Sequence, residues 1–167
     1  MRRPLTTEQA FARFGLLLGT LPPAAIFSRF LIGARDGDQA MVFLAFILPM
    51  LVICSLVGRF MAKSVGRRFD DAERRTWDAM MIEALEGAFI WAAATGAAGG
   101  LPVFGIGAVF GFLCALPCAL VAFSLFVPLH RLLARGGMID ARHLNPLAWG
   151  INLVIAALIL SPKVIPY

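Results

Sequence analysis

Five stretches of the chain consist almost entirely of apolar residues, and short polar segments separate them. A helix needs about 20 residues to cross roughly 30 Å of hydrocarbon. The second, third and fourth stretches meet this length, the fifth is short, and prolines interrupt the first. The pattern predicts an all-α membrane protein, a bundle of about five transmembrane helices in one domain over residues 1–167. The predicted spans are residues 15–33, 40–62, 79–99, 103–128 and 144–161.

Composition supports this class. Hydrophobic residues make up 60% of the 167 positions and charged residues only 15%, and the mean hydropathy is +0.83. A soluble domain of this size covers its surface with far more charge. No polar stretch is long enough to bury a core of its own. We therefore expect a multi-pass protein of a bacterial cytoplasmic (inner) membrane, with the lipid bilayer as its main partner.

Basic residues are distributed unevenly between the predicted loops. Of the 15 lysines and arginines, 12 fall on the face that holds the N-terminus and the loops 63–78 and 129–143. Because cytoplasmic loops are enriched in basic residues, we predict a cytoplasmic N-terminus and an extracytoplasmic C-terminus. If residues 15–33 did not cross, the ratio of 12 to 3 would fall to 9 to 6. The net charge of +5 then reflects topology and contact with anionic lipid headgroups, so no nucleic-acid partner is expected.

The first stretch contains Pro22 and Pro23 in the segment LLLGTLPPAAIFSRFL. A cleaved export signal is one interpretation, but no small-x-small cleavage site follows the apolar part. Two prolines also leave the carbonyls of Leu18 and Gly19 without helical partners. The break either lines a binding site, as the discontinuous helices of transporters do, or is a kink that packing tolerates. The sequence leaves the last two interpretations open.

Capping patterns mark two helix starts. Thr6 followed by Gln9 matches a capping box, so the first helix is expected to begin in the cytoplasm. An acidic N-cap pattern at Asp70 predicts that the third helix begins near Asp71. Trp77 would then lie at the level of the headgroups, where indole is favoured.

Three charged residues near the third span form a candidate ion, proton or salt-bridge site. Glu83 and Glu86 are three residues apart and share a helical face. If the hydrocarbon begins near Ala79, Glu86 lies about 10 Å deep, where a carboxylate is a candidate functional group. The alternative is a pairing with Arg59, which lies near the same end of the preceding span.

Two histidines flank the predicted loop 129–143. His130, His143 and Asp140 are weak candidates for a metal site, because their spacing fits no known metal motif. The alternative is that both histidines are interfacial residues beside basic neighbours. We expect no resident metal and no cofactor, since nucleotide-binding and hydrolase motifs are also missing from the sequence.

Small residues form the most coherent pattern. Gly96 and Gly100 are four residues apart in the third span, and Gly107 and Gly111 repeat the spacing in the fourth. Such spacing lets helix backbones approach closely. The glycines are therefore predicted to pack the third helix on the fourth, and pairing with another protomer stays open. The three cysteines lie in apolar runs and are interpreted as small hydrophobic residues, namely Cys54, Cys114 and Cys118.

These observations favour a non-catalytic role. The main hypothesis is an accessory or structural subunit, or a helical module that forms homo-oligomers or binds another membrane protein. The first alternative is a small transporter or channel that uses the proline-broken helix and Glu86. The second is an enzyme that acts on lipid at the cytoplasmic face through His130, His143 and Asp140.

Overall fold

The computed structural model describes residues 4–32, 37–69, 76–100 and 106–161, and this part of the chain is almost entirely helical. The predicted all-α class is therefore confirmed. One short two-stranded ribbon accompanies the helices. In chain order the elements are β1 (Pro4–Thr6), α1 (Thr7–Leu18), α2 (Leu21–Ile32), α3 (Gly37–Arg68), α4 (Trp77–Gly100), α5 (Ile106–Leu133), β2 (Met138–Asp140) and α6 (Ala141–Leu160).

Within these described ranges, four segments are long and apolar enough to cross a membrane. The third predicted span, α4, has sufficient length at 24 residues but falls outside this group, because Glu83, Glu86 and several glycines lower its hydropathy. The first segment is the most enclosed of the four, and it combines α1 with most of α2. The four segments are Thr7–Arg29, Gly37–Arg68, Ile106–Leu133 and Ala141–Leu160.

The helix starts follow local capping. The capping box is confirmed: the Thr6 hydroxyl accepts from the Gln9 amide at 3.3 Å, and the Gln9 side chain accepts from the Thr6 amide at 3.4 Å. The predicted start of the third helix near Asp71 lies outside the described residues. In the described part, α4 begins at Trp77, whose ring lies 4.5 Å from the guanidinium of Arg131.

One end of the bundle joins three distant parts of the sequence. β1 pairs with β2 in an antiparallel register that places Leu5 opposite Ile139. Beside this ribbon, the Glu8 carboxylate lies 3.2 Å from Lys63 Nζ and 3.0 Å from Arg67 Nε. The N-terminal segment, the end of α3 and the segment before α6 therefore share one end.

The opposite end joins α2 to the end of α6. The Arg29 guanidinium donates a hydrogen bond to the Ser161 carbonyl at 2.9 Å. Ser161 is the C-cap residue of α6. Because α1 begins at the ribbon and α2 ends beside Ser161, the two short helices together run the length of the bundle.

α1 lies directly against α3 through small residues on both helices. A side-chain methyl at Gly15 would overlap Ala62 and the Gly58 carbonyl, and a methyl at Gly19 would overlap the backbone at Cys54. Residues without bulky side chains are required wherever two helix backbones approach this closely. This contact fixes α1 in the interior of the bundle.

α4 and α5 form a second pair with close backbones. A methyl on Gly96 would lie 2.5 Å from the Phe112 amide nitrogen, and a methyl on Gly100 would overlap the backbone at Gly107. Gly111 in turn faces the Gly96 backbone. The glycines of the two helices therefore meet within one chain and form an antiparallel hairpin.

Aromatic rings fill the space between these two pairs. The rings of Phe14 and Phe126 stack with their centroids 3.9 Å apart, and Phe11 meets Phe126 edge to face at 5.1 Å. Trp91 extends this cluster and donates a buried hydrogen bond from Nε1 to the Gly58 carbonyl at 2.8 Å. The cluster connects α1, α3, α4 and α5 at the ribbon end of the molecule.

Candidate functional site

The interruption of the first span is a short non-helical step between α1 and α2. α1 ends at Leu18, and Pro22 and Pro23 lie in the first turn of α2. Proline is well tolerated there, because the first amides of a helix have no intrahelical acceptor. The Thr20 hydroxyl hydrogen-bonds the Leu16 carbonyl at 2.6 Å. A side chain at the step thus replaces part of the lost backbone bonding.

The same threonine connects the step to α3. Thr20 Oγ1 lies 2.7 Å from Ser55 Oγ, and Ser55 in turn hydrogen-bonds the Leu51 carbonyl at 2.6 Å. Polar groups inside an apolar bundle are retained where they find partners. The helix break is therefore held against α3 by a defined hydrogen bond as well as by the glycine contact below it.

A cavity of about 430 Å³ lies beside the break, between α2, α3, α4 and α5. Pro22 and Pro23 form part of its wall, so the interruption of the helix shapes this space. Ligand-binding pockets in proteins occupy about 300–1,000 Å³. The cavity is therefore large enough for a small molecule or for one chain of a lipid.

The cavity is lined almost entirely by apolar groups, and one residue of its wall has a buried polar side chain. Thr95 is only 2% exposed, and among the described residues nothing hydrogen-bonds its hydroxyl. Its carbonyl accepts a weak hydrogen bond from the Cys54 thiol at 3.8 Å. All three cysteines line the same cavity, with Cys54 on α3 and both Cys114 and Cys118 on α5.

The acidic candidates lie elsewhere. Glu86 is exposed on the outward face of α4, with Ile82 and Phe89 exposed one turn before and after it. Arg59 is exposed on α3, and within the described residues no ion pair joins it to Glu86. Glu83 is half-buried and has an interaction of its own.

The structure does not bring Glu86 to the helix break. The cavity wall includes Pro22 and Pro23, whereas Glu86 is not among its lining residues. The transporter hypothesis combined these two features in one pathway. Within one chain the two features are separate.

The histidine candidates are also separated. His130 is only 6% exposed, because α1 covers this face of α5, and its ring packs 5.5 Å from that of Phe11. His143 is exposed, and Asp140 instead caps α6 by accepting from the Arg142 amide at 3.0 Å.

In the part of the chain that the structure describes, no cluster of three or more His, Cys, Asp or Glu side chains is positioned to hold a metal ion. His130 Nε2 is buried and has no hydrogen-bond partner among the described residues. A general base for chemistry on lipid would need a route to substrate. Aromatic packing around His130 leaves no such route visible, so these residues do not form a recognisable catalytic arrangement.

The sequence interpretation missed two features of the site. The first is the small-residue contact between α1 and α3, although Gly15 and Gly19 have the same four-residue spacing as the glycines that were singled out. The second is the unpaired hydroxyl of Thr95, for which the sequence contains no signal.

Comparison with models of protein families, with curated proteins and with solved structures finds no match for this chain.

Proposed function

We propose that this chain is a non-catalytic module of a bacterial cytoplasmic membrane, with five crossings and a cytoplasmic N-terminus, which acts by associating with a second copy of itself. The count of five takes α4 as a crossing. Its close contact with α5 supports this assignment, because a helix paired along its length with an apolar helix enters the bilayer with it. The distribution of basic residues supports the orientation.

The observation that carries the proposal is the position of Glu86. It lies about 10 Å beyond Ala79 along α4 and faces outward between exposed Ile82 and Phe89. A charged side chain at the centre of a bilayer costs about 2.5–3.5 kcal/mol by insertion scales, and such residues generally face a protein partner or a cavity. An outward carboxylate is therefore stabilised when another helix covers it.

Charge complementarity indicates what covers it. Arg59 is exposed on α3, the neighbour of α4, and α3 ends at the same end of the bundle where α4 begins. In a symmetric pair each contact occurs twice, because residue i of one copy meets residue j of the other. We therefore assign Glu86 of one copy to Arg59 of the second, and the reverse.

A charge-exchange experiment tests this assignment. Glu86→Arg and Arg59→Glu are each expected to reduce the dimer fraction in native mass spectra of the gently extracted protein. The double variant is expected to restore it, because the pair is re-formed with the charges exchanged. Asp78→Arg, in the exposed first turn of α4, is the matched control and should leave the dimer intact.

Two results would reject the proposal. A wild-type protein that is monomeric both in native membranes after rapid crosslinking and in the mass spectra has no such interface. A stoichiometric complex with a different membrane protein would replace the self-association with an accessory role, especially if Glu86→Arg dissociated that complex.

A further inference from the structure

The cavity beside the helix break results from the way in which α2 packs. The pairs α1–α3 and α4–α5 are tightly packed, whereas α2 contacts mainly α6. Glycines bring α1 onto α3 and α4 onto α5. α2, which continues α1 after the step, packs mainly on α6, where Arg29 donates to Ser161. A space is left between α2 and the α4–α5 hairpin, and the packing of the rest of the bundle keeps it open.

The cavity opens on the outer surface of α5. Ile106, Phe110 and Cys114 line it, and all three are exposed. On a protein that crosses a membrane, a surface of exposed isoleucine and phenylalanine faces hydrocarbon. The opening therefore faces lipid, and a hydrocarbon chain reaches the cavity without passing through water.

The depth of the opening can be placed along the helices. Thr95 lies five residues before Gly100, the last described residue of α4, which corresponds to about 7.5 Å along the axis. The hydroxyl therefore lies in the half of the bundle distant from the ribbon. With the proposed orientation, that half is in the extracytoplasmic leaflet, and Thr95 lies within its hydrocarbon layer.

The walls define the chemistry of the occupant. They are apolar, and the hydroxyl of Thr95 behind them is buried too deeply for a water-sized atom to reach it. The preferred ligand is therefore hydrocarbon, which needs no hydrogen-bond partner from these walls. A charged or polyhydroxylated solute would leave its own polar groups unpaired against these walls.

We propose that the cavity holds one acyl chain of a membrane phospholipid from the extracytoplasmic leaflet. This inference rests on the membrane location in the proposed function but not on the dimer. The bound chain fills the space beside the proline-interrupted helix and closes the opening between α2 and α5.

Photocrosslinking tests the occupant. The full-length protein is reconstituted in vesicles of phosphatidylethanolamine and phosphatidylglycerol that contain phosphatidylethanolamine with a diazirine on one acyl chain. After irradiation, mass spectrometry maps the adducts. We expect them to concentrate on cavity residues such as Cys118 and Phe27, in excess over outward residues such as Val121.

A blocking variant and a matched control make the test specific. Cys114→Trp places a large side chain at the opening and should remove most cavity adducts. Leu113→Trp, at the adjacent exposed position outside the cavity, is the matched control and should leave them unchanged.

The possible failures are distinguishable. If alkaline carbonate extracts the protein from membranes, the proposed membrane function fails and this inference fails with it. If the protein stays in the membrane but its adducts are spread evenly over outward residues, and Cys114→Trp changes nothing, only the lipid site is rejected.

Discussion

At the scale of single residues, the smallest side chains control how closely the helices pack. Gly96 is typical: its α-carbon faces the α5 backbone, and a methyl there would lie 2.6 Å from the carbonyl carbon of Gly111. Such a distance is far below van der Waals contact, so the helices would have to separate. The contact is therefore specific to glycine and does not follow from hydrophobicity alone.

Gly96→Ala is accordingly expected to destabilise the protein by about 1–3 kcal/mol, the usual cost of overpacking. The matched control is Gly150→Ala in α6, where an added methyl meets nothing within 4 Å. That substitution should be neutral or stabilise α6 by about 0.5–1 kcal/mol, because alanine favours helix more than glycine does. Unfolding in mixed micelles of increasing SDS content measures both, and equal stabilities would contradict the packing argument.

At the scale of elements, the step between α1 and α2 is held by one interhelical hydrogen bond. Thr20 Oγ1 and Ser55 Oγ are 2.7 Å apart, and each oxygen also lies 2.6 Å from the carbonyl oxygen four residues before it, so two hydroxyl protons are shared among three contacts. Membrane proteins gain about 0.6 kcal/mol from such a bond on average, and at most about 1.7. This hydrogen bond therefore makes only a modest contribution to the free energy that holds the step against α3.

A double-mutant cycle with Thr20→Val and Ser55→Ala should give a coupling free energy of about 0.6–1.7 kcal/mol in the same unfolding measurement. Ser28 provides the control, because its hydroxyl bonds the Ala25 carbonyl within α2. Ser28→Ala combined with Ser55→Ala should show no coupling. Additive effects of Thr20→Val and Ser55→Ala would mean that the hydroxyls do not stabilise the step together.

The sequence predicted the helices better than their ends. The apolar run begins eight residues after the first helix, which starts at Thr7, and it was the capping box at Thr6 and Gln9 that predicted this earlier start. α3 continues to Arg68, six residues beyond its predicted span, because Lys63 and Arg67 extend the helix and bind Glu8. Apolar runs locate membrane helices, but they do not locate helical turns made of charged residues.

The sequence could not predict which side chains meet across the bundle. His130 follows an apolar run beside Arg131, which is typical of an interface, yet Phe11 from α1 covers it. The cavity is a tertiary feature too, since it depends on α2 leaning toward α6. Thr95 becomes notable only when its surroundings are known to be apolar and its hydroxyl is known to be unpaired.

At the scale of the whole molecule, the ribbon of β1 and β2 connects the N-terminal segment to the segment before α6. Thr6 lies opposite Met138 in the register, and both residues are exposed. The pairing places the N-terminal segment beside the segment before α6, so in the proposed orientation both lie on the same side of the membrane. Cleavage of the first stretch as an export signal would remove β1 from the protein.

The final prediction is a disulfide across this ribbon. In a protein whose native cysteines are replaced by alanine, Thr6→Cys combined with Met138→Cys should crosslink when oxidant is added to isolated membranes. Opposed residues in antiparallel strands have α-carbons about 4.5–5.5 Å apart, within the range that a disulfide spans. Thr6→Cys combined with Ser161→Cys is the control and should not crosslink, because Ser161 lies at the opposite end beside Arg29. A missing Thr6–Met138 crosslink, together with a shortened N-terminus by mass, would establish cleavage and overturn the five-crossing topology.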